Sequence, residues 1–145
     1  MSELAEKRLA FTQSVGNLLD FAATQGLHVV LGEVMRGKQQ SQWNASHCAV
    51  QRAGQRCELE VGSTVHGPAG HRFVAIGIAS SLHGLGLAVD LIRYIPTEHG
   101  DWKVAEGRAM YAPLGEYWEQ HKGAVWGGSW GHDYGHFSFE HGGRK

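Results

Sequence analysis

Apolar positions recur at helical spacing from the start of the chain: Leu4, Phe11, Val15, Leu18 and Ala22, with Leu19 widening the stripe. Glu3 and Glu6 suit a first turn and Gly26 a stop, so the pattern predicts an amphipathic packing helix over about residues 3–25. The run His28-Val29-Val30-Leu31-Gly32-Glu33-Val34 predicts a buried strand. Trp43, His47 and Val50 fall at i, i+4 and i+7, the spacing of a short helix. From Arg52 to Ser80 the pattern is irregular. Within it, Leu59 and Val61 alternate with Glu58 and Glu60 as a short strand would, and His66-Gly67-Pro68-Ala69-Gly70 is turn chemistry.

The clearest alternation runs from Gly86 to Tyr94. Leu85, Leu87, Val89 and Leu91 share one face; Ala88, Asp90 and Ile92 share the other. Asp90 therefore falls on an otherwise apolar face, where an unpaired carboxylate is costly; a metal ion or an arginine would satisfy it. Pro113 predicts the opening of a second helix, with Leu114, Tyr117, Trp118 and His121 on one face, Lys122 in the last turn and Gly123 at the end. Trp126 to Gly131 reads as a flexible aromatic loop, and His136-Phe137-Ser138-Phe139 as a final strand. This order predicts the α+β class: one small domain over residues 1–145, a central antiparallel sheet flanked by helices, with a helical segment at about 3–25 and a core at about 28–140. No internal repeat or linker interrupts it.

Composition narrows the function more than the fold. At 145 residues, one domain is the natural size. The excess lies in glycine (21), histidine (10) and tryptophan (5), which favours tight turns and raises the prior for a metal site. A net charge of -1 and a pI near 6.8 leave no basic field to grip nucleic acid. No segment reads as a membrane span, and Met1 to Arg8 lacks the basic region and apolar core of a secretory signal, so synthesis and retention in the cytoplasm are expected. Cys48 and Cys57 are then expected as thiols; a disulfide between them would suit a protein working outside the cytoplasm, and a zinc knuckle lacks its second pair.

Candidate chemistry gathers around Ser81-Leu82-His83-Gly84-Leu85-Gly86-Leu87-Ala88-Val89-Asp90. His83 stands at the entry to the strand that carries Asp90, and the small residues Gly84 and Gly86 allow a turn that folds the imidazole back over the carboxylate. His136 would arrive from the neighbouring strand. Two imidazoles and one carboxylate hold a zinc ion and leave its fourth position to water, which suits amide hydrolysis. Such a reaction also wants a general base and a cation for the oxyanion. Asp133, three residues before His136, is placed for the first, with a turn aspartate as the plain alternative. Arg36 is the candidate for the second, with a surface ion pair as its alternative. Trp126 and Trp130 either line a cleft or pack in the core.

Ser81-x-His83-x-x-Gly86-x-Ala88-x-Asp90 followed by Asp133-x-x-His136 resembles the pattern of the D-alanyl-D-alanine carboxypeptidase-type zinc peptidases. Gly32-Glu33-Val34-x-Arg36 with Gln39-Gln40, Pro113 to Trp118, and the Trp-Gly-Gly run at 126–128 are similar to the bacteriophage branch, the L-alanyl-D-glutamate endopeptidases. The resemblance covers roughly Val29 to Phe139. It implies one Zn²⁺ per chain on His83, Asp90 and His136, Asp133 as catalytic acid/base, Arg36 facing the substrate, and Ser81, Trp126 and Trp130 as further substrate contacts. It also implies that the stem peptide of peptidoglycan is cut by a monomeric phage endolysin without a separate wall-binding domain. That enzyme would be made in the host cytoplasm, released by a holin without inserting in the membrane, and active on the wall in the periplasm. Gly37 stands where the family commonly has a threonine-like residue, and the segment from Arg36 to His83 is longer than in the phage branch. Asp133, where the carboxypeptidase branch often carries glutamate, leans towards the endopeptidases.

Three other readings compete. A D,D-carboxypeptidase or dipeptidase of the same family would share the site. A non-haem Fe(II) oxygenase also uses two histidines and a carboxylate. A wall-binding or virion module could keep the metal for stability alone.

Overall fold

The computed structural model describes residues 1–32, 48–50, 64–66, 72–75 and 82–145. The chain divides into two compact units, Met1–Met35 with Gly86–Lys145, and Arg36–Leu85.

The first unit opens with helix α1, Glu3–Thr24. Ser2 caps it, its hydroxyl accepting from the Ala5 N–H at 3.3 Å. Gly26 ends it in the left-handed conformation (φ 67°), and the N–H groups of Gly26 and Leu27 reach back to the carbonyls of Ala23 and Ala22. Five antiparallel strands follow: β1 (His28–Leu31), β5 (Ala88–Pro96), β6 (Trp102–Val104), β7 (Ala124–Trp126) and β8 (His136–Phe139). Their order is β1-β5-β8-β7, with β6 on the far half of β5. Helix α2, Arg108–Trp118, lies between β6 and β7. This is the expected α+β architecture, a small antiparallel sheet with two helices.

One sheet face carries the core. Leu87, Val89 and Leu91 of the β5 run are at most 2% exposed, and Phe137 stands opposite Val89 in register. Phe11 of α1 meets Trp118 of α2 and Phe139 of β8 edge-on at 5.7 and 5.4 Å. The buried Trp118 indole N–H has two carbonyl acceptors, Ser138 at 3.1 Å and Val125 at 3.2 Å, so its polar atom is satisfied where its ring is dry. Phe21 stacks on Tyr117 at 4.2 Å and ties the two helices together.

The second unit contains a separate three-stranded antiparallel sheet, β2 (Cys48–Val50), β3 (Thr64–His66) and β4 (Arg72–Ala75), in the order β2-β4-β3. A 3-10 turn, Leu82–Leu85, precedes β5.

Several expectations are corrected. Val50 ends a strand, not a helix, and the stretch expected to be irregular contains β3 and β4. Trp43, His47, Leu59, Val61 and residues 67–70 lie outside the described residues, as do Glu33, Val34 and Cys57. β1 is not buried: among the described residues it pairs with β5 alone, and Val30 and Leu31 are 47% and 52% exposed. α2 begins at Arg108, so Pro113 lies inside it, and it ends at Trp118, before Lys122. The Trp126 to Gly131 segment is not an irregular loop: Trp126 closes β7, and Gly127–Trp130 forms a 3-10 turn with both glycines buried. Among the described residues, no helix is long and apolar enough to cross a membrane.

Candidate metal centre

The pairing of β5 with β8 sets Asp90 directly opposite His136. Directly opposed residues of an antiparallel pair share a face, so the two side chains meet; His136 Nδ1 lies 3.1 Å from Asp90 Oδ1. Backbone bonds fix both positions. The Gly32 N–H donates to the Asp90 carbonyl at 2.7 Å, and the Leu91 N–H to the Gly135 carbonyl at 2.8 Å. A side chain at Gly135 would run into the Leu91 carbonyl, at 2.6 Å from its Cβ, so glycine is needed for that approach.

His83 lies on the 3-10 turn and is buried. Gly86 (φ 67°) then takes the left-handed conformation that leads the chain into β5. His83, Asp90 and His136 form a group that could hold a metal ion, with one ligand atom from each within 4.8 Å of the others. Donors on a tetrahedral ion with bonds of 2.0–2.2 Å stand about 3.3–3.6 Å apart. The 3.1 Å between the Asp90 and His136 atoms is already near that spacing. Two imidazoles and one carboxylate are the donor set of a catalytic zinc site, so these residues fit that ion.

The loop before His136 is held from beneath. Asp133 is the one non-glycine with positive φ (57°) among the described residues, and its carbonyl accepts from the His136 N–H at 3.0 Å. That carbonyl rests on Gly127: a Cβ there would come within 2.1 Å of the Asp133 oxygen and 3.1 Å of His136 Cβ. Tyr134 is anchored through its carbonyl, which accepts the Trp126 indole N–H at 2.7 Å, while its hydroxyl donates to the Gly131 carbonyl at 3.1 Å. Asp133 itself is exposed. Its backbone thus belongs to the packed loop while its side chain is in contact with solvent.

The two tryptophans separate. Trp126 is 1% exposed, wedged against Gly115 and Gly128, with the Arg108 guanidinium 5.0 Å from its ring centre. Trp130 is 36% exposed, its ring 5.5 Å from that of His136 and 6.2 Å from that of His132. Arg36 and Ser81 lie outside the described residues. Sequence reasoning placed Gly127 in the Trp-Gly-Gly run and Gly135 in a tight turn, but not the close backbone contacts that each must admit. Their identity was visible, but the carbonyls they must admit come from distant or folded-back backbone, and no local pattern reports that.

A family model described as D-alanyl-D-alanine carboxypeptidase matches residues 77–139. The matched stretch contains His83, Asp90, Asp133 and His136. The match supports a peptidase, and the His83–Asp90–His136 group could bind the metal of one. No curated protein matches the chain.

Proposed function

We propose that this chain is a zinc-dependent peptidoglycan hydrolase that cleaves the L-alanyl-D-glutamate amide of the stem peptide, serving as a phage endolysin in host lysis. The observation that carries the reading is the His83–Asp90–His136 group, lying within the stretch matched by a peptidase family. In this reading the three residues hold one Zn²⁺ per chain. The ion would supply an activated water and polarise the scissile carbonyl. Asp133 accepts the proton of the attacking water and returns it to the leaving amine, a task for an exposed carboxylate beside the last ligand. Arg36 steadies the oxyanion, Ser81 lines the substrate path, and Trp130 packs against the stem peptide. The enzyme works as a monomer, is made in the host cytoplasm, and reaches the periplasmic wall after a holin opens the membrane.

The description of the matched family favours a second reading, a D,D-carboxypeptidase acting on terminal D-Ala-D-Ala. Digestion of purified sacculi followed by mass spectrometry of the muropeptides decides between them. A new L-Ala carboxylate on the muramyl fragment is expected; loss of a single terminal D-Ala instead would overturn the endopeptidase assignment. Metal analysis after anaerobic purification is expected to find zinc, and iron would point to the oxygenase reading.

A further inference from the structure

The face of the sheet that carries Asp90 and His136 does not stop at the metal ligands. Residues two apart on a strand share a face, so Asp90, Ile92, Tyr94 and Pro96 line one side of β5. Register extends that side to the neighbours: His28 stands opposite Tyr94 on β1, and Trp102 opposite Pro96 on β6. The rings of His28 and Trp102 meet at 4.6 Å and 76°, confirming that both project to the same side and forming an open corner. Trp102 is 53% exposed. A pocket of about 420 Å³ is lined by His28, Tyr94 and Trp102 together with aliphatic side chains of α1 and β1. That volume falls in the ordinary range for small-ligand sites, roughly 300–1,000 Å³.

We propose that the corner made by His28, Tyr94 and Trp102 is a saccharide subsite, which takes the amino-sugar backbone of the substrate while the stem peptide lies at the metal centre. The proposal rests on the peptidoglycan reading above. Three observations favour a sugar over another occupant. Among the described residues the pocket lining carries no Asp, Glu, Lys or Arg, which suits an uncharged ligand. It offers an exposed indole face against which a pyranose can lay its C–H groups, beside a phenol and an imidazole able to hydrogen-bond hydroxyl and N-acetyl groups. The offset places the corner beyond the first sugar: Pro96, which faces Trp102, is six residues from Asp90, roughly 20 Å along the strand. The lactyl and L-alanyl units between the first sugar and the scissile carbonyl span about 7 Å when extended, so it is sugar rings further along the glycan that would reach the indole.

Binding is measured with the full-length protein, using chitotetraose and glycan strands stripped of stem peptide as probes, by titration calorimetry. The parent protein is expected to bind both, and Trp102→Ala to bind about tenfold more weakly, the loss of one stacked ring. Circular dichroism is expected to show Trp102→Ala folded, and Trp102→Phe is expected to retain part of the affinity. In kinetics, Trp102→Ala is expected to raise KM on sacculi with kcat unchanged, and to leave cleavage of a free stem peptide as it was. Absence of glycan binding by the parent, or equal binding by parent and Trp102→Ala, would overturn the subsite. So would a Trp102-dependent dimer with glycan affinity unaltered, which would make this face a contact between copies. If the parent binds glycan but cleaves no stem peptide, the hydrolase assignment fails and the subsite stands.

Discussion

Gly127→Ala is the sharpest test of how the candidate metal centre is held. The added Cβ would sit 2.1 Å from the Asp133 carbonyl oxygen, 3.1 Å from its carbon and 3.1 Å from His136 Cβ. Restoring an ordinary 3.4 Å contact to the oxygen means moving it by about 1.3 Å, and the neighbour is backbone that cannot swing aside. The same oxygen accepts the His136 N–H, so the shift also loosens the turn that presents a candidate ligand. Overpacking costs about 1–3 kcal/mol and a weakened hydrogen bond about 1 kcal/mol, so a loss of about 2–4 kcal/mol is expected. In a chain of this size that lowers Tm by about 4–16 °C. Thermal denaturation of metal-free protein reads the first effect, and competitive titration with a zinc chelator reads the second, expected as at least about a tenfold loss of affinity. Gly16→Ala is the control. It lies in α1 with nothing near its Cβ, and the change is expected to be neutral or to stabilise by up to about 1 kcal/mol. If Gly127→Ala melts with the parent and binds zinc as tightly, the packing argument for this loop is wrong.

Three further outcomes are expected. Asp133→Asn should keep stoichiometric zinc in elemental analysis and lose about 10²- to 10⁴-fold in rate on sacculi; unchanged lysis would remove Asp133 from the chemistry, and a parent that never lyses would favour the wall-binding module. His83→Ala should lose zinc along with activity, and zinc occupancy of the parent should fall on acidification because ligands must be deprotonated; stoichiometric metal in the variant would exclude His83 as a ligand. Trp126→Phe keeps a buried ring but removes the donor to the Tyr134 carbonyl, and should cost about 1–3 kcal/mol in denaturant unfolding. An equally stable variant would show that the bond does not hold the loop.

Legibility followed the range of the forces. α1 was readable because its stripe, its acidic first turn and its terminal glycine are all local, and the helix ends within a residue of the expected place. β5 and β8 were readable from alternation. β1 was misread because an apolar run looks the same on an edge as in the interior; what decides is that it has a single sheet partner among the described residues. The start of α2 carries no side-chain cap, so Pro113 drew the expected boundary five residues into the helix. Its ring forfeits one bond of the ladder, and the buried Tyr111, Leu114 and Trp118 outweigh that loss. The glycine-rich segment after Trp126 looked mobile because glycine is permissive, whereas Gly127 and Gly128 are small so that a carbonyl and an indole can press against them. At the site, the ligand types and their order could be read, but the cross-strand register that brings Asp90 to His136 could not.

That register would make a bound ion a sensor of strand alignment. Because side chains alternate faces, sliding β8 by a single residue against β5 would carry His136 to the opposite side of the sheet and leave Asp90 facing another residue. Misaligned chains would therefore lack the three-residue group, and an ion held by it would clasp β8 to a segment 46 residues earlier in the chain. In the proposed hydrolase, catalytic competence and correct threading of that strand would arrive in the same event.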